Sequence, residues 1–314
     1  MAVLLQLFPF SNYLEGELKK RFEVIPWHAM SADEQAAWLA ENAGSVDAAA
    51  TAGHIGCATE LLTALPNLKV IATNGVGFDK VDVDLAASRG VYVSTTPGLL
   101  SEDVADLAVG LTISLLRRIP AGDAYVREGQ WLKGEMPLAR KVTGRRFGVL
   151  GLGAIGSAIA ARLAPFGEVH YNSRAPKDVP YIYQADALSL AKAVDVLVIA
   201  CAANASTAKM VNAEVLEALG SHGWVVNISR GAVVDEDALI VALENGIIAG
   251  AGLDVFAKEP QVPQALIESD KVVLTPHVAS ATEETRKAMA DCVLANLDAV
   301  MAGKKAPTAL RDIA

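Results

Sequence analysis

A glycine-rich turn between an apolar strand and a helix constrains this chain more than any other feature. Residues 148–156 read Gly-Val-Leu-Gly-Leu-Gly-Ala-Ile-Gly, and small and apolar residues at helical spacing follow. This order of strand, tight turn and helix start is what a dinucleotide-binding turn requires. Gly151 permits the turn, Gly153 lets the backbone approach a pyrophosphate, and Gly156 lets the helix pack close to the strand. The sequence therefore predicts a dinucleotide with its phosphates at the helix N-terminus.

The end of the next predicted strand indicates which dinucleotide binds. That strand covers residues 168–172 and ends about 20 residues past the glycines, where an acidic residue holds the ribose 2′-hydroxyl of NAD. The chain has no acid there and instead reads Asn172-Ser173-Arg174. Polar donors and a fixed positive charge suit a 2′-phosphate. We therefore predict NADPH rather than NADH, the alternative being that Arg174 is an ordinary solvated arginine.

Composition excludes several classes of partner. The 314 residues carry a formal net charge of −9, which argues against nucleic acid and against an anionic membrane surface. Three scattered cysteines, Cys57, Cys201 and Cys292, are typical of a reducing compartment and give no metal-ligand spacing. The apolar N-terminus lacks basic residues and is interpreted as a buried strand rather than a signal peptide. We expect a cytoplasmic protein without a metal site.

Short apolar runs alternate with helical stretches over residues 1–97, which indicates a parallel sheet with helices on both faces. A second alternating region surrounds the glycine-rich turn. The predicted domains are therefore 1–97 with 281–314, a substrate domain, and 98–280, a dinucleotide-binding domain. The predicted fold class is α/β, with two doubly wound parallel-sheet domains and a Rossmann cofactor domain inserted in a flavodoxin-like substrate domain. The predicted strands are 3–8, 22–25, 46–50, 68–72, 91–93, 194–200, 224–228, 247–255 and 272–274.

A long helix is predicted from Ser101 to Ile119. Acidic residues lie near its start and Arg117 and Arg118 at its end, which matches the helix dipole. Its apolar residues at 104, 107, 108, 111 and 115 form one stripe. The stripe has two interpretations, packing against the domain's own core or formation of a dimer surface.

Three residues with complementary chemistry follow strands in the second half of the chain. Arg230 follows the strand at 224–228, Glu259 follows the run ending at Phe256, and His277 follows residues 272–274. Carboxyl ends of parallel strands open toward one crevice, so these side chains are expected to meet. A histidine can donate a proton, a carboxylate can hold its ring, and a guanidinium can bind a carboxylate bidentately. Taken singly, each could also be a structural or solvated side chain.

A glycine-containing loop in the first domain suggests an anion site. Residues 73–79 read Thr-Asn-Gly-Val-Gly-Phe-Asp after a predicted strand. The backbone N–H groups of Gly75, Val76 and Gly77 suit a small carboxylate. An ordinary turn is the alternative interpretation.

Several of these motifs together resemble the D-isomer-specific 2-hydroxyacid dehydrogenase family over nearly the whole chain. They are the glycine-rich turn, Asn-Ile-Ser-Arg-Gly at 227–231, Gly-Leu-Asp-Val-Phe at 252–256 with Glu259-Pro260, and Thr-Pro-His at 275–277. Within the family, the chain is most similar to NADPH-linked glyoxylate/hydroxypyruvate reductases and the related hydroxyphenylpyruvate reductases. The resemblance implies a homodimer formed through the cofactor domains.

The resemblance also implies a role for each matching residue. His277 is the general acid in reduction, Glu259 is its partner, and Arg230 binds the substrate's carboxylate and carbonyl. Val76 and Gly77 hold the same carboxylate through their N–H groups. The implied cofactor-binding residues are Gly151, Gly153, Ala154, Ile155, Gly156, Asn172, Ser173, Arg174, Cys201, Ile228 and Asp254.

Two departures qualify the match. The loop at 201–205 has no proline where relatives often carry one, which leaves open the contacts on the adenine side. Glu259 stands where formate dehydrogenases have glutamine, which counts against that activity.

We therefore predict an NADPH-dependent reductase of small 2-keto acids, with glyoxylate and hydroxypyruvate as leading substrates. One alternative is a reductase of hydroxyphenylpyruvate or phosphohydroxypyruvate, since it would share every catalytic residue. The alternative from another class is a non-catalytic protein that senses NAD(P)H. The physiological acid and the direction of the reaction do not follow from the sequence.

Overall fold

The computed structural model describes residues 1–313 and divides into two compact units. The first consists of Met1–Leu100 together with the chain from Ala281 onward, and the second is Ser101–Ser280. The second unit is thus an insertion in the first. Within residues 1–313, no helix is both long enough and apolar enough to cross a bilayer.

The first unit is built on a five-stranded parallel sheet. The strand order is 2-1-3-4-5, the flavodoxin-like order of doubly wound sheets. Its strands are β1 (Ala2–Gln6), β2 (Phe22–Ile25), β3 (Val46–Ala52), β4 (Val70–Asn74) and β5 (Tyr92–Ser94). The helices that precede the insertion are α1 (Asn12–Arg21), α2 (Ala32–Asn42), α3 (Thr59–Ala64) and α4 (Val83–Ser88).

Alternate residues of these strands face two separate apolar layers. On β4, Val70 and Ala72 belong to one layer while Ile71 belongs to the other. The chain's last long helix, Glu283–Met301, covers the first layer with residues such as Val293 and Leu297. Both faces of the sheet are therefore buried, as in a doubly wound fold.

The second unit contains a seven-stranded parallel sheet. Its strands are β6 (Phe147–Leu150), β7 (Val169–Asn172), β8 (Ile182–Tyr183), β9 (Val196–Ile199), β10 (Trp224–Asn227), β11 (Gly250–Leu253) and β12 (Val272–Leu274). Its helices are α5 (Ser101–Arg117), α6 (Ile119–Arg127), α7 (Ala154–Leu163), α8 (Ala187–Ala193), α9 (Ala213–Leu219), α10 (Glu236–Glu244) and α11 (Gln264–Ile267), and α12 (Glu283–Met301) follows in the first unit. The order β12-β11-β10-β9-β6-β7-β8 reverses direction beside β6, as in a Rossmann domain. The predicted fold class is confirmed.

The long helix after residue 100 is shorter than predicted. Helix α5 ends at Arg117, because Arg118 takes a left-handed conformation with φ 52°, and α6 starts directly afterwards. The apolar stripe of α5 packs into its own unit: a Cβ added at Gly250 or Gly252 would lie 3.3–3.4 Å from side-chain atoms of Leu115 and Leu111. The structure thus favours the core interpretation of the stripe.

Candidate active site

The glycine-rich turn joins β6 to α7, and its glycines face different surroundings. Gly151 has φ 99°, the left-handed region that favours glycine. A Cβ at position 156 would lie only 1.9 Å from the carbonyl oxygen of Gly151, whereas a Cβ at Gly153 would meet nothing within 4 Å. The first turn of α7, with Ala154 and Ile155, directs its backbone N–H groups toward this open side. These features suit the approach of a pyrophosphate.

The loop after β7 lies beside this turn. The Asn172 carbonyl accepts a hydrogen bond of 3.0 Å from the backbone N–H of Gly151. The buried Tyr171 hydroxyl accepts from the backbone N–H of Lys177 at 2.7 Å, and the Lys177 ammonium donates to the Leu152 carbonyl at 2.5 Å. The chain therefore brings the predicted phosphate loop and the glycine turn together.

The side chains of this loop differ in whether they are engaged in hydrogen bonds within the protein. Asn172 donates its side-chain N–H to the Gln184 carbonyl at 2.9 Å, and Ser173 donates its hydroxyl to the Ala175 carbonyl at 2.6 Å. Arg174 is exposed and has no ion-pair partner among the described residues. Its guanidinium can therefore bind an anion without giving up an internal contact.

Two further predicted cofactor residues follow the neighbouring strands. Cys201 comes just after β9, and a Cβ at Gly151 would lie 2.6 Å from the Cys201 Cα. Burial raises the pKa of the Cys201 thiol to about 11, so it is neutral at physiological pH. Ile228, directly after β10, is buried and donates its N–H to the Ile199 carbonyl. Both residues lie at the carboxyl edge of the sheet, beside the glycine turn or one strand beyond it.

Arg230 is held at the carboxyl end of β10 by a tight turn. Its carbonyl accepts from the side-chain N–H of Asn227 at 3.0 Å, and its own Nη1 donates to the Ser229 carbonyl at 2.9 Å. The next residue, Gly231, has no room for a side chain, because a Cβ there would lie 2.0 Å from the Phe256 carbonyl carbon. The Arg230 turn is thus packed directly against the segment that leads to Glu259.

Glu259 and His277 form a hydrogen-bonded pair. Nδ1 of His277 lies 2.7 Å from Oε2 of Glu259, while Oε1 of Glu259 accepts the backbone N–H of Phe256 at 3.0 Å. Both side chains are half-buried, and an ionised carboxylate fixes the proton of the neutral ring on Nδ1. The other ring nitrogen, Nε2, takes no part in this pair.

His277 has an unusual backbone conformation that neighbouring groups hold in place. Its φ is 53°, in the left-handed region, and its N–H donates to the Asp254 carbonyl at 2.9 Å. The Asp254 carboxylate is fully buried and accepts from the Thr275 hydroxyl at 2.6 Å and from the backbone N–H groups of Val278 and Ala279 at 2.9 and 3.0 Å. Burial raises the pKa of Asp254, and these hydrogen bonds oppose that effect. In the structure, Asp254 fixes the turn that carries His277; its implied contact with a nicotinamide remains a prediction.

The predicted carboxylate loop belongs to the first unit, after β4. Gly75 has φ 154°, and its carbonyl accepts from the Thr96 N–H at 2.8 Å. A Cβ at Gly53 would lie 2.7 Å from the Gly77 carbonyl oxygen, so two backbone segments meet here. Within residues 1–313, the N–H groups of Val76 and Gly77 have no acceptor. They can therefore bind an anion.

Sequence reasoning missed the residues that support the site. Asn227, Tyr171 and Thr275 each hold a site loop. Asn227 and Thr275 stand in motifs quoted above, but only Asn227, at a strand end and followed two residues later by serine, showed a local turn pattern. No cluster of three or more histidine, cysteine or acidic residues that could hold a metal occurs among residues 1–313.

The fold and these residues define an oxidoreductase of the dinucleotide-binding class. Residues 109–279 match the family model described as D-isomer specific 2-hydroxyacid dehydrogenase, NAD binding domain. The chain belongs to this family, which confirms the resemblance seen in the motifs.

Several relatives are similar over almost their entire length. A glyoxylate/hydroxypyruvate reductase of Arabidopsis thaliana is 44% identical over 303 residues, 96% of each chain, and a hydroxyphenylpyruvate reductase of Plectranthus scutellarioides is 45% identical with the same coverage. Among solved structures, the NADPH-dependent glyoxylate/hydroxypyruvate reductase of Sinorhizobium meliloti, in complex with NADP and malonate, superimposes with a TM-score of 0.89. It is 40% identical, and the match covers 98% of this chain and 96% of that one.

Proposed function

We propose that this protein is an NADPH-dependent reductase of small 2-keto acids, with glyoxylate and hydroxypyruvate as its leading substrates. The observation that carries the proposal is the hydrogen-bonded pair of His277 and Glu259, with Arg230 held on a neighbouring strand end. The named relatives support the substrate class, and the phosphate-binding character of the Arg174 loop supports NADPH.

The proposed reaction assigns a separate task to each side chain. When bound, the reduced nicotinamide supplies the hydride that adds to the keto carbon. His277 donates a proton from Nε2 to the developing alkoxide, and the carboxylate of Glu259 stabilises the imidazolium form that makes this possible. Arg230 binds the substrate carboxylate and polarises the neighbouring carbonyl. The reverse reaction uses the same groups, with neutral His277 as the base.

We assign the two parts of the chain different roles. Residues 98–280 are proposed as the dinucleotide-binding domain and residues 1–97 with 281–314 as the substrate domain. The two N–H groups of Val76 and Gly77 support the second assignment, because they can hold a small carboxylate without losing an internal hydrogen bond.

A spectrophotometric assay tests the proposal. Purified protein is mixed with NADPH or NADH and, in turn, glyoxylate, hydroxypyruvate, pyruvate, phenylpyruvate, hydroxyphenylpyruvate and phosphohydroxypyruvate. We expect fast NADPH oxidation with the first two acids. Preference for the aromatic or phosphorylated acids would overturn the substrate assignment but keep the reaction. NADPH binding without turnover of any acid would contradict an enzymatic function and favour a non-catalytic protein that senses the nucleotide.

Replacement of Arg174 by alanine is expected to raise the KM for NADPH at least tenfold, about the effect of losing one charge-assisted phosphate contact. The KM for NADH should change little, since NADH has no 2′-phosphate. Initial rates with each cofactor at saturating glyoxylate measure both constants.

Arg140→Ala is the matched control, because Arg140 is another exposed arginine of the same unit. Equal effects of Arg174→Ala on the two cofactors would remove the assignment of Arg174 to the 2′-phosphate.

We also propose a cytoplasmic homodimer. Its three cysteines are free, which supports a reducing compartment. Large apolar side chains are exposed along one segment of the second unit, with Leu132 94% and Leu138 95% exposed and Trp131 beside them. Such a patch is typical of a protein–protein interface.

The dimer has a direct test in sedimentation equilibrium. We expect a dimer for the wild type and a monomer for the double variant Leu132→Glu/Leu138→Glu, because two buried charges oppose association. Ile182→Glu, at an exposed apolar residue of the same unit, serves as the control. A monomeric wild-type protein would contradict the proposal.

A further inference from the structure

A buried asparagine connects the core of the second unit to the turn that carries Arg230. Asn227 is the last residue of β10 and is 1% exposed. It lies between two neighbouring strands, paired in register with Ile199 of β9 and Leu253 of β11. Its carbonyl accepts the backbone N–H of Asp254 at 3.0 Å. The backbone of Asn227 is therefore fixed by the sheet.

The side chain of Asn227 hydrogen-bonds to Ser229 and Arg230, two and three residues further along the chain. Its Oδ1 accepts the backbone N–H and the hydroxyl of Ser229, each at 3.0 Å. Its Nδ2 donates to the carbonyl of Arg230, also at 3.0 Å. The first two bonds form the turn, and only the third reaches the residue whose side chain carries the guanidinium.

The Asn227 amide contacts the Arg230 backbone at its carbonyl. After Arg230 the chain enters the short 3₁₀ turn Gly231–Val233, in which the Val233 N–H also donates to the Arg230 carbonyl, at the longer distance of 3.2 Å. Gly231 is fixed by its close approach to Phe256. The Arg230 carbonyl thus lies between the Asn227 amide that donates to it and a closely packed glycine.

We propose that Asn227 is a positioning residue that sets the affinity for the keto acid by orienting Arg230. This inference rests on the proposed function, since it assigns Arg230 to the substrate carboxylate. A bidentate contact between guanidinium and carboxylate needs both its nitrogens in one plane with the two oxygens. A shift of about 1 Å in such a group can cost about 100-fold in catalytic efficiency.

The test compares Asn227→Leu with the wild type at saturating NADPH. Leucine has a similar volume and adds no charge, but it removes the amide that bonds to Arg230. We expect kcat/KM for glyoxylate to fall about 10- to 100-fold, mainly through a higher KM. The dissociation constant of NADPH, measured by nucleotide fluorescence, should be unchanged.

A double-mutant cycle distinguishes positioning from a general structural role. If Asn227 acts through the Arg230 side chain, Asn227→Leu should cause almost no further loss in an Arg230→Ala background. Equal losses in the two backgrounds would overturn the proposal, because the effect would then not pass through the guanidinium. An unchanged KM in the single variant would overturn it as well.

Two further variants keep the test decisive if Asn227→Leu does not fold. Asn227→Asp retains the oxygen that accepts from Ser229 and replaces the donor to Arg230 by a second oxygen, so it should keep the turn and show the same higher KM. Asn296→Leu is the matched control: Asn296 is also 1% exposed and bonds to Cys292 and Thr308 in the first unit. It should lower thermal stability without changing KM. Wild-type protein that reduces none of the keto acids would instead refute the proposed function.

Discussion

Replacement of His277 by alanine is expected to lower kcat for glyoxylate reduction by about 1,000-fold, within the range measured for loss of a general acid. The physical reason is that Nδ1 is hydrogen-bonded to Glu259 at 2.7 Å, so the proposed proton transfer uses Nε2. The dissociation constant of NADPH should be unchanged, since the histidine has no assigned contact with the nucleotide. Stopped-flow absorbance and fluorescence titration measure the two quantities.

Two companion variants make the result interpretable. His222→Ala removes an exposed histidine of the same unit and should leave both quantities unchanged. Glu259→Gln keeps a side chain that can hydrogen-bond to Nδ1 but removes the charge that favours the imidazolium. We expect it to lower kcat less than His277→Ala does. Loss of NADPH binding in His277→Ala would show that the residue supports the fold or the nucleotide site rather than proton transfer.

Most of the fold could be predicted because the hydrophobic periodicity is strong. Strands such as 22–25 and 272–274 were predicted with the bounds that the structure has, since each is a short, largely apolar run with a proline close after it. The missed helix α6 has a different cause. Pro120 lies in its first turn, where proline is tolerated, so the sequence does not reveal that Arg118 interrupts the helix.

That the candidate site residues lie at one edge of the sheet could be predicted from the sequence, but the contacts that support them could not. The carboxyl ends of parallel strands meet at one edge, which brings Arg230, Glu259 and His277 into one region. The left-handed backbone of His277 depends on hydrogen bonds from residues 275–279 to Asp254, which directly follows the neighbouring strand β11. Such contacts arise only when the sheet has formed, so no local pattern indicates them.

The three glycines of the glycine-rich turn, Gly151, Gly153 and Gly156, illustrate the same limit. Their order predicted a turn, a close approach to a ligand and close helix packing. The structure supports the turn at Gly151, and the close contact of Gly156 is with the Gly151 carbonyl rather than with a strand side chain alone. The role of Gly153 depends on a ligand and stays a prediction.

A pair of alanine variants separates these roles. Gly156→Ala is expected to destabilise the second unit by about 2–3 kcal/mol, because the new Cβ would lie 1.9 Å from the Gly151 carbonyl oxygen and the backbone must move. Gly153→Ala should cost at most about 1 kcal/mol, the price of a poorer helix cap, since its Cβ would point into open space. Thermal and urea unfolding measure both effects.

For NADPH binding we expect the reverse order: Gly153→Ala, which costs less stability, should have the larger effect. At a temperature where both are folded, Gly153→Ala should raise the dissociation constant of NADPH at least tenfold, because a methyl group occupies the space that the pyrophosphate needs, equivalent to about 1.4 kcal/mol. This loss of NADPH affinity should not depend on the thermal stability of the variant. If Gly153→Ala bound NADPH as tightly as the wild type, the pyrophosphate could not lie against this glycine, and the phosphate site would have to be sought elsewhere along the first turn of α7.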